Sequence, residues 1–188
     1  GVSAGTQKTI VEGLRDGGAI RRNAEIVRVP VLFDTRQIPF PSGSRLAMTI
    51  PWGDVSTAYH TTGIPNIRVY RATSPRAVAR LRRIRPFLPA LASPPIKWIL
   101  RSRASRQAGP DAAARERGRM ELWGCVSGAG GQSAAMSLVT PEGYALTVLT
   151  AIEAAMRVLH EPVRAGSLTP ARRFGEEFIT TFPGVTVN

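Results

Sequence analysis

The chain has 188 residues, 43% of them hydrophobic and 20% charged, which fits one soluble globular domain with a real core. Its lone Cys125 excludes an internal disulfide and an all-cysteine metal site, and a reducing compartment is thereby permitted. Twenty-five basic against 13 acidic residues give a net charge of +12, and residues 68–119 carry that whole excess, with acids only at Asp111 and Glu116. One basic segment in a balanced chain differs from a uniformly basic nucleic-acid binder. All basic residues but Lys8 and Lys97 are arginines, which fits a GC-rich coding bias and weakens any inference from charge alone. No signal peptide is visible. The chain begins at Gly1 rather than Met and reads as a piece of a longer one.

Ser3-Ala-Gly-Thr6 reads as a helix entry, with Ser3, Gly5 or Thr6 each able to cap it. Ile10, Val11 and Leu14 give that helix an apolar face, and Gly17-Gly18 is expected to end it. Glu25 to Leu32 is β-branched and predicts a strand, which Pro30 confines to an edge or an end. Pro39 to Gly43 reads as a loop and Arg45 to Ile50 as a second strand.

Twenty residues, Pro51 to Tyr70, then hold a turn, a short helix, a stop and a strand. Asp54 is expected to cap the helix over Val55–Thr61, Gly63 and Pro65 to stop it, and Asn66–Arg71 to form a half-buried strand. Ser74-Pro75 opens another helix, whose Ala77, Leu81, Ile84, Leu88 and Leu91 recur at helical spacing until Pro86 and Pro89 interrupt. Pro94-Pro95 starts a further helix, Ile96 to about Arg106. Residues 107–117 read as an exposed connection. Arg119–Val126 and Gln132–Val139 read as a hairpin closed by Gly128–Gly131. Thr140-Pro141-Glu142 reads as cap, first-position proline and early acid of a helix running to about His160. Thr169-Pro170 opens a last short helix before a Pro-Gly turn. The sum predicts an α+β fold, a mixed and largely antiparallel sheet covered by helices on one face, in one domain with a basic helical insertion at about 74–107.

No Gly-x-Gly-x-x-Gly lies between a strand and a helix, and no Walker loop or metal-ligand spacing is present. His160 sits at a helix C-terminus, where the dipole favours a cation. His60, beside Tyr59, has a side chain suited to proton exchange near neutral pH; the plainer reading is a structural histidine. Trp52 reads as core or pocket wall, and Asp54 as a pocket residue or merely a cap. The Ser3–Thr6 helix start presents backbone N–H groups to an anion or a cofactor edge, or is a plain helix entry. The Arg-rich segment, with Arg76, Arg80, Arg83, Lys97 and Arg101 as the docking candidates, has three readings: a solvated face, a surface for an anionic membrane or an acidic carrier protein, or a nucleic-acid site. The absence of an aromatic stacking series argues against the last.

Val2-Ser-Ala-Gly-Thr6 with Val11-Glu-Gly-Leu14, Pro51-Trp-Gly-Asp-Val55, Thr62-Gly-Ile-Pro-Asn-Ile-Arg-Val-Tyr70, Thr140-Pro-Glu-Gly-Tyr-Ala-Leu-Thr147, Thr169-Pro-Ala171 and Phe182-Pro-Gly-Val185 together carry a resemblance. In this order they resemble the second domain of saccharopine-dehydrogenase-like oxidoreductases, some of whose relatives are trans-acting enoyl reductases. The resemblance implies an N-terminal Rossmann domain that binds NAD or NADP, followed by a domain that shapes the substrate site and dimerises. This chain then corresponds to the second domain alone, binds no cofactor by itself and is inactive without the first. Trp52, Asp54 and Tyr59 become pocket walls, His60 the proton donor, and Ser3, Gly5 and Thr6 neighbours of the cofactor. A cytoplasmic location, with docking at a membrane surface, is the accompanying expectation. The alternative is a non-catalytic module whose Arg-rich segment docks anionic lipid or an acidic carrier.

Overall fold

A computed structural model describes residues 3–13, 16–91, 93–105 and 111–188. Helices and antiparallel strands are both well represented, so the chain is α+β. The strands fall into three small sheets, β1-β2, β3-β4-β5 and β6-β7-β8, rather than one. The chain divides into two compact units where one domain was expected: residues 1–38 with 45–111, and residues 39–44 with 112–188.

In the first unit, α1 (Ala4–Glu12) starts at Ser3, whose hydroxyl accepts the Thr6 N–H at 3.2 Å. It ends at Gly13 rather than at Gly17-Gly18; Leu14, expected on its apolar face, lies outside the described residues. Gly17 instead turns the chain into β1 (Gly18–Arg22), with φ +73° and no room for a Cβ, which would lie 2.9 Å from the Val29 carbonyl oxygen. β1 pairs antiparallel with β2 (Glu25–Val29), which stops before Pro30. The two-residue turn between them, Asn23-Ala24, has both φ values positive, the geometry that matches strand twist in a tight hairpin. An alanine is strained there, and the neighbouring loop braces it: the Ala24 N–H donates to the Pro65 carbonyl and the Asn23 N–H to Asn66 Oδ1.

The Pro39–Gly43 stretch expected as a loop is mostly strand. β3 (Thr35–Phe40) and β4 (Gly43–Thr49) are joined by Pro41-Ser42 alone, and Pro39 is tolerated because β3 is an edge. β4 pairs on its other side with β5 (Tyr70–Ala72), which is shorter than the Asn66–Arg71 strand expected; Ile67 makes a separate bridge to Arg21. Between β4 and β5 runs α2 (Asp54–Thr62), stopped by Gly63 at φ +73°. α3 (Pro75–Ile84) is capped by Ser74, and a 3-10 turn at Arg85–Phe87 leads into α4 (Leu88–Leu91), as the prolines require. α5 (Pro94–Ser105) packs on α1, where Arg101 and Lys97 pair with Glu12 at 2.7 and 3.5 Å. Its expected end at Arg106 lies outside the described residues. The core of this unit includes Ile20, Val29, Ile38, Ala47, Val55 and Val78.

In the second unit, part of the expected exposed connection is a helix, α6 (Ala112–Arg117); residues 107–110 lie outside the description. β6 (Arg119–Ser127) and β7 (Ser133–Pro141) pair over nine residues each, with Ser127 opposite Ser133 and Gly128–Gln132 as the turn. Thr140 and Pro141 belong to β7, so the helix that follows, α7 (Gly143–His160), is capped two positions later. The Glu142 carboxylate accepts the Tyr144 and Ala145 N–H groups at 2.8 and 3.1 Å. α8 (Pro170–Phe174) has its expected Thr169 cap. A 3-10 segment (Glu176–Thr181) and a two-residue strand, β8 (Thr186–Val187), complete the unit. Its buried centre is aromatic: Phe174, Phe178 and Phe182 stack in series with ring centroids 4.9 and 5.2 Å apart.

Candidate functional site

The residues singled out from the sequence gather on α2 and just before it, but they do not converge. Asp54 is not the cap; Gly53 holds that position without a side-chain bond, and Asp54 lies in the first turn, where its charge suits the helix dipole. Side chains share a helix face at spacings of three or four, whereas Asp54, Tyr59 and His60 are separated by five and six positions. Trp52, Asp54 and His60 are exposed and Tyr59 is half-buried. Tyr59 and His60 meet edge to face, with ring centroids 5.6 Å apart.

Beneath Tyr59 lies a residue that sequence reasoning passed over. Arg21 is 6% exposed, and its guanidinium stacks 4.4 Å from the Tyr59 ring centroid. Its Nε donates to the Val55 carbonyl at 2.9 Å, Nη2 to the Ser56 carbonyl at 3.4 Å, and Nη1 to the Ala24 carbonyl. The acceptors are backbone oxygens, not a carboxylate. Burying a guanidinium is tolerable only when its fork of donors is filled, and three carbonyls and a π face fill it. Arg21 thus fastens α2 to the β1–β2 hairpin and sets the orientation of the Tyr59–His60 pair.

A second polar cluster stands at β5. Tyr70 donates to Asp34 Oδ2 at 2.5 Å, and Arg68 Nη1 reaches the same oxygen at 3.2 Å. Burial, and then the hydrogen bond to Asp34, raise the Tyr70 phenol above its ordinary value, against a smaller opposite pull from Arg68. The Arg68 guanidinium is raised in turn, chiefly by its hydrogen bond with Tyr70. The phenol is therefore held neutral as a donor, and it is not primed as a base. Thr49 ties the Asp34 backbone from both sides, its N–H to the Asp34 carbonyl and its hydroxyl to the Asp34 N–H.

The helix entry at Ser3 is half spent on itself: Ser3 Oγ takes the Thr6 N–H and lies 3.1 Å from Thr6 Oγ1, while Gly5 is exposed. The Gly128–Gly131 run closes a hairpin, with the Gly128 N–H donating to the Gln132 carbonyl, so it is a turn and not a phosphate cradle. Among the described residues no group of three His, Cys, Asp or Glu is arranged to hold a metal, and no helix is long and apolar enough to cross a membrane.

The second unit contributes a groove of about 490 Å³ between the last turns of α7 and residues 163–174. Ala155, Val158, Leu168 and Phe174 line it, with Arg164 and Arg173 at its sides. Both arginines are engaged, Arg164 with the Arg172 carbonyl and Arg173 with the Pro162 carbonyl and Glu161. Further along, α7 has no buried residue. Val148, Leu149, Ile152, Met156, Val158 and Leu159 are all exposed, Ile152 by 59% and Leu159 by 76%. Glu153 and Arg157 are its charged residues, with Tyr144 near its start and His160 at its end.

No protein-family model matches the chain, and no curated protein matches it.

Proposed function

We propose that this chain is the substrate-binding and dimerisation half of a saccharopine-dehydrogenase-like NAD(P)-dependent oxidoreductase of the cytoplasm, completed by a dinucleotide-binding domain of the same polypeptide. The observation that carries the reading is the bare apolar surface of α7. A helix with so much exposed apolar surface belongs inside a larger body, and among the described residues Val148, Leu149, Ile152, Met156 and Leu159 stay exposed. A free-standing module would leave it in water; a half-enzyme that docks a second domain or a second copy would cover it. The motif series from Ser3 to Val185 supports the same reading.

In this reading the cofactor is held by the other half, and no step of its chemistry falls to residues here. What this half supplies is position and one proton. Trp52, Asp54 and Tyr59 form part of the wall, Arg21 fixes Tyr59 from below, and the exposed imidazole of His60 exchanges the proton. Ser3, Gly5 and Thr6 remain the candidates facing the cofactor, and own-domain docking and homodimerisation are the expected partnerships.

The test is the coding sequence upstream of Gly1. A strand, Gly-x-Gly-x-x-Gly and a helix encoded there is the expected result; a start codon placed directly before Gly1 overturns the proposal. Light scattering on the 188-residue chain adds a second readout, with a dimer expected and Ile152→Glu with Leu159→Glu expected to dissociate it.

A further inference from the structure

We propose that α3 is an interfacial docking helix that lays an arginine stripe on an anionic lipid surface. The inference rests on the first unit's basic segment and stands independently of the oxidoreductase reading.

The stripe follows from helical geometry. Arg76, Arg80, Arg83 and Phe87 recur at spacings of four, three and four, which at about 100° per residue puts them on one line along α3 and the 3-10 turn that continues it. Val78 is buried and lies two positions from the first and the second of them, on the far side of the helix, so the stripe points away from the core. All four stripe residues are exposed, Phe87 by 65%.

Among the described residues nothing neutralises the charge on this stripe. Lys97 and Arg101, the other two docking candidates, spend their charge on Glu12. Arg76, Arg80 and Arg83 have no carboxylate partner among the described residues. Like charges at these spacings repel along a helix, and the basic segment holds only Asp111 and Glu116 as acids. A row kept in this state is complementary to a surface of fixed negative charge.

The kind of surface follows from the company the row keeps. Phe87 closes it, and Trp98 on α5 is 71% exposed in the same basic segment. Guanidinium groups with neighbouring exposed aromatics match the headgroup layer of a bilayer, where phosphates meet the first methylenes. A nucleic acid would call for a series of stacking rings along a groove, and the segment has none. No helix among the described residues is long and apolar enough to cross a bilayer, and the proposed contact is a surface one.

Co-sedimentation of the 188-residue chain with vesicles tests the proposal. Phosphatidylcholine vesicles containing phosphatidylglycerol are expected to bind the chain at low salt and to release it at high salt, and pure phosphatidylcholine vesicles to leave it in solution. Each basic residue near such a surface contributes roughly fivefold, so Arg76→Gln with Arg80→Gln and Arg83→Gln should weaken the partition about a hundredfold. Phe87→Ser should weaken it further at unchanged charge. Circular dichroism checks that the variants keep their helices. Three results overturn the proposal: no sedimentation with phosphatidylglycerol vesicles at low salt, including when an acidic carrier protein is captured instead; binding that salt does not change; or a folded triple variant that binds as the parent does.

Discussion

Tyr70 and Asp34 are 36 positions apart in the chain, and the phenol hydroxyl of one donates to the carboxylate of the other at 2.5 Å. This bond, together with the Thr49–Asp34 backbone pair, draws the segment before β3 onto the β4–β5 edge.

Tyr70→Phe removes the bond and leaves the ring, so a loss of about 1 kcal/mol of stability is expected from urea denaturation near neutral pH. The pH dependence has a definite sign. The folded phenol titrates above its ordinary value, because burial and Asp34 favour the neutral form. Its stabilising contribution is therefore complete below about pH 10, the unfolded value, and is lost as pH rises through the folded one. The melting temperature of the parent should fall as pH rises above about 10, and that of Tyr70→Phe should fall less.

Arg21 makes a sharper case. Replacing it with Met keeps much of the volume but leaves the Val55, Ser56 and Ala24 carbonyls without their donor and Tyr59 without its cation. A loss of about 3 kcal/mol is expected in urea denaturation. Arg21→Lys should recover little, since a single ammonium cannot serve three carbonyls in a fork.

Glu142, and not Thr140, closes the start of α7. Glu142→Ala should therefore cost about 1 kcal/mol by thermal melting, while Glu142→Asp, which shortens the reach by one methylene, should cost less.

Gly63 stops α2 in the left-handed conformation, and a Cβ added there meets nothing within 4 Å. The cost of Gly63→Ala is thus a pure backbone cost of about 1 kcal/mol, with Gly63→Asn cheaper. A much larger loss in denaturation experiments would mean that this interpretation of the stop is wrong.

In the full-length polypeptide, His60→Ala should lower kcat strongly at unchanged fold if His60 gives up the proton. Unchanged steady-state kinetics would take it out of the site.

The features legible in the sequence are those written in neighbouring residues. Ser74-Pro75, Thr169-Pro170 and Ser3 mark three helix starts, and Gly63 marks a stop, because capping chemistry acts over three or four positions. The hairpin of β6 and β7 announces itself through its glycine turn. β1 was hidden because one of its buried positions is Arg21, and no hydrophobic pattern flags an arginine whose partners are carbonyls from elsewhere in the chain. Thr-Pro-Glu fits a helix entry locally, whereas pairing with β6 carries the strand through Pro141 and leaves the cap of α7 to Glu142. The Asp34–Arg68–Tyr70 cluster depends on strands that meet across some thirty residues, which no local spacing encodes.

The second unit is assembled from two stretches of chain, residues 39–44 and 112–188, with Ser42 Oγ donating to Glu121 Oε2 at 2.7 Å inside it. No single cut can excise it whole. A truncation that starts at Ala112 leaves the β3–β4 tip behind, so the C-terminal piece would have to fold without Ser42. The polypeptide must also bring residue 44 back toward residue 112 across 67 intervening residues, an excursion whose closure entropy grows only slowly with length. Insertions within that excursion should consequently be better tolerated by the second unit than any break in the six-residue tip.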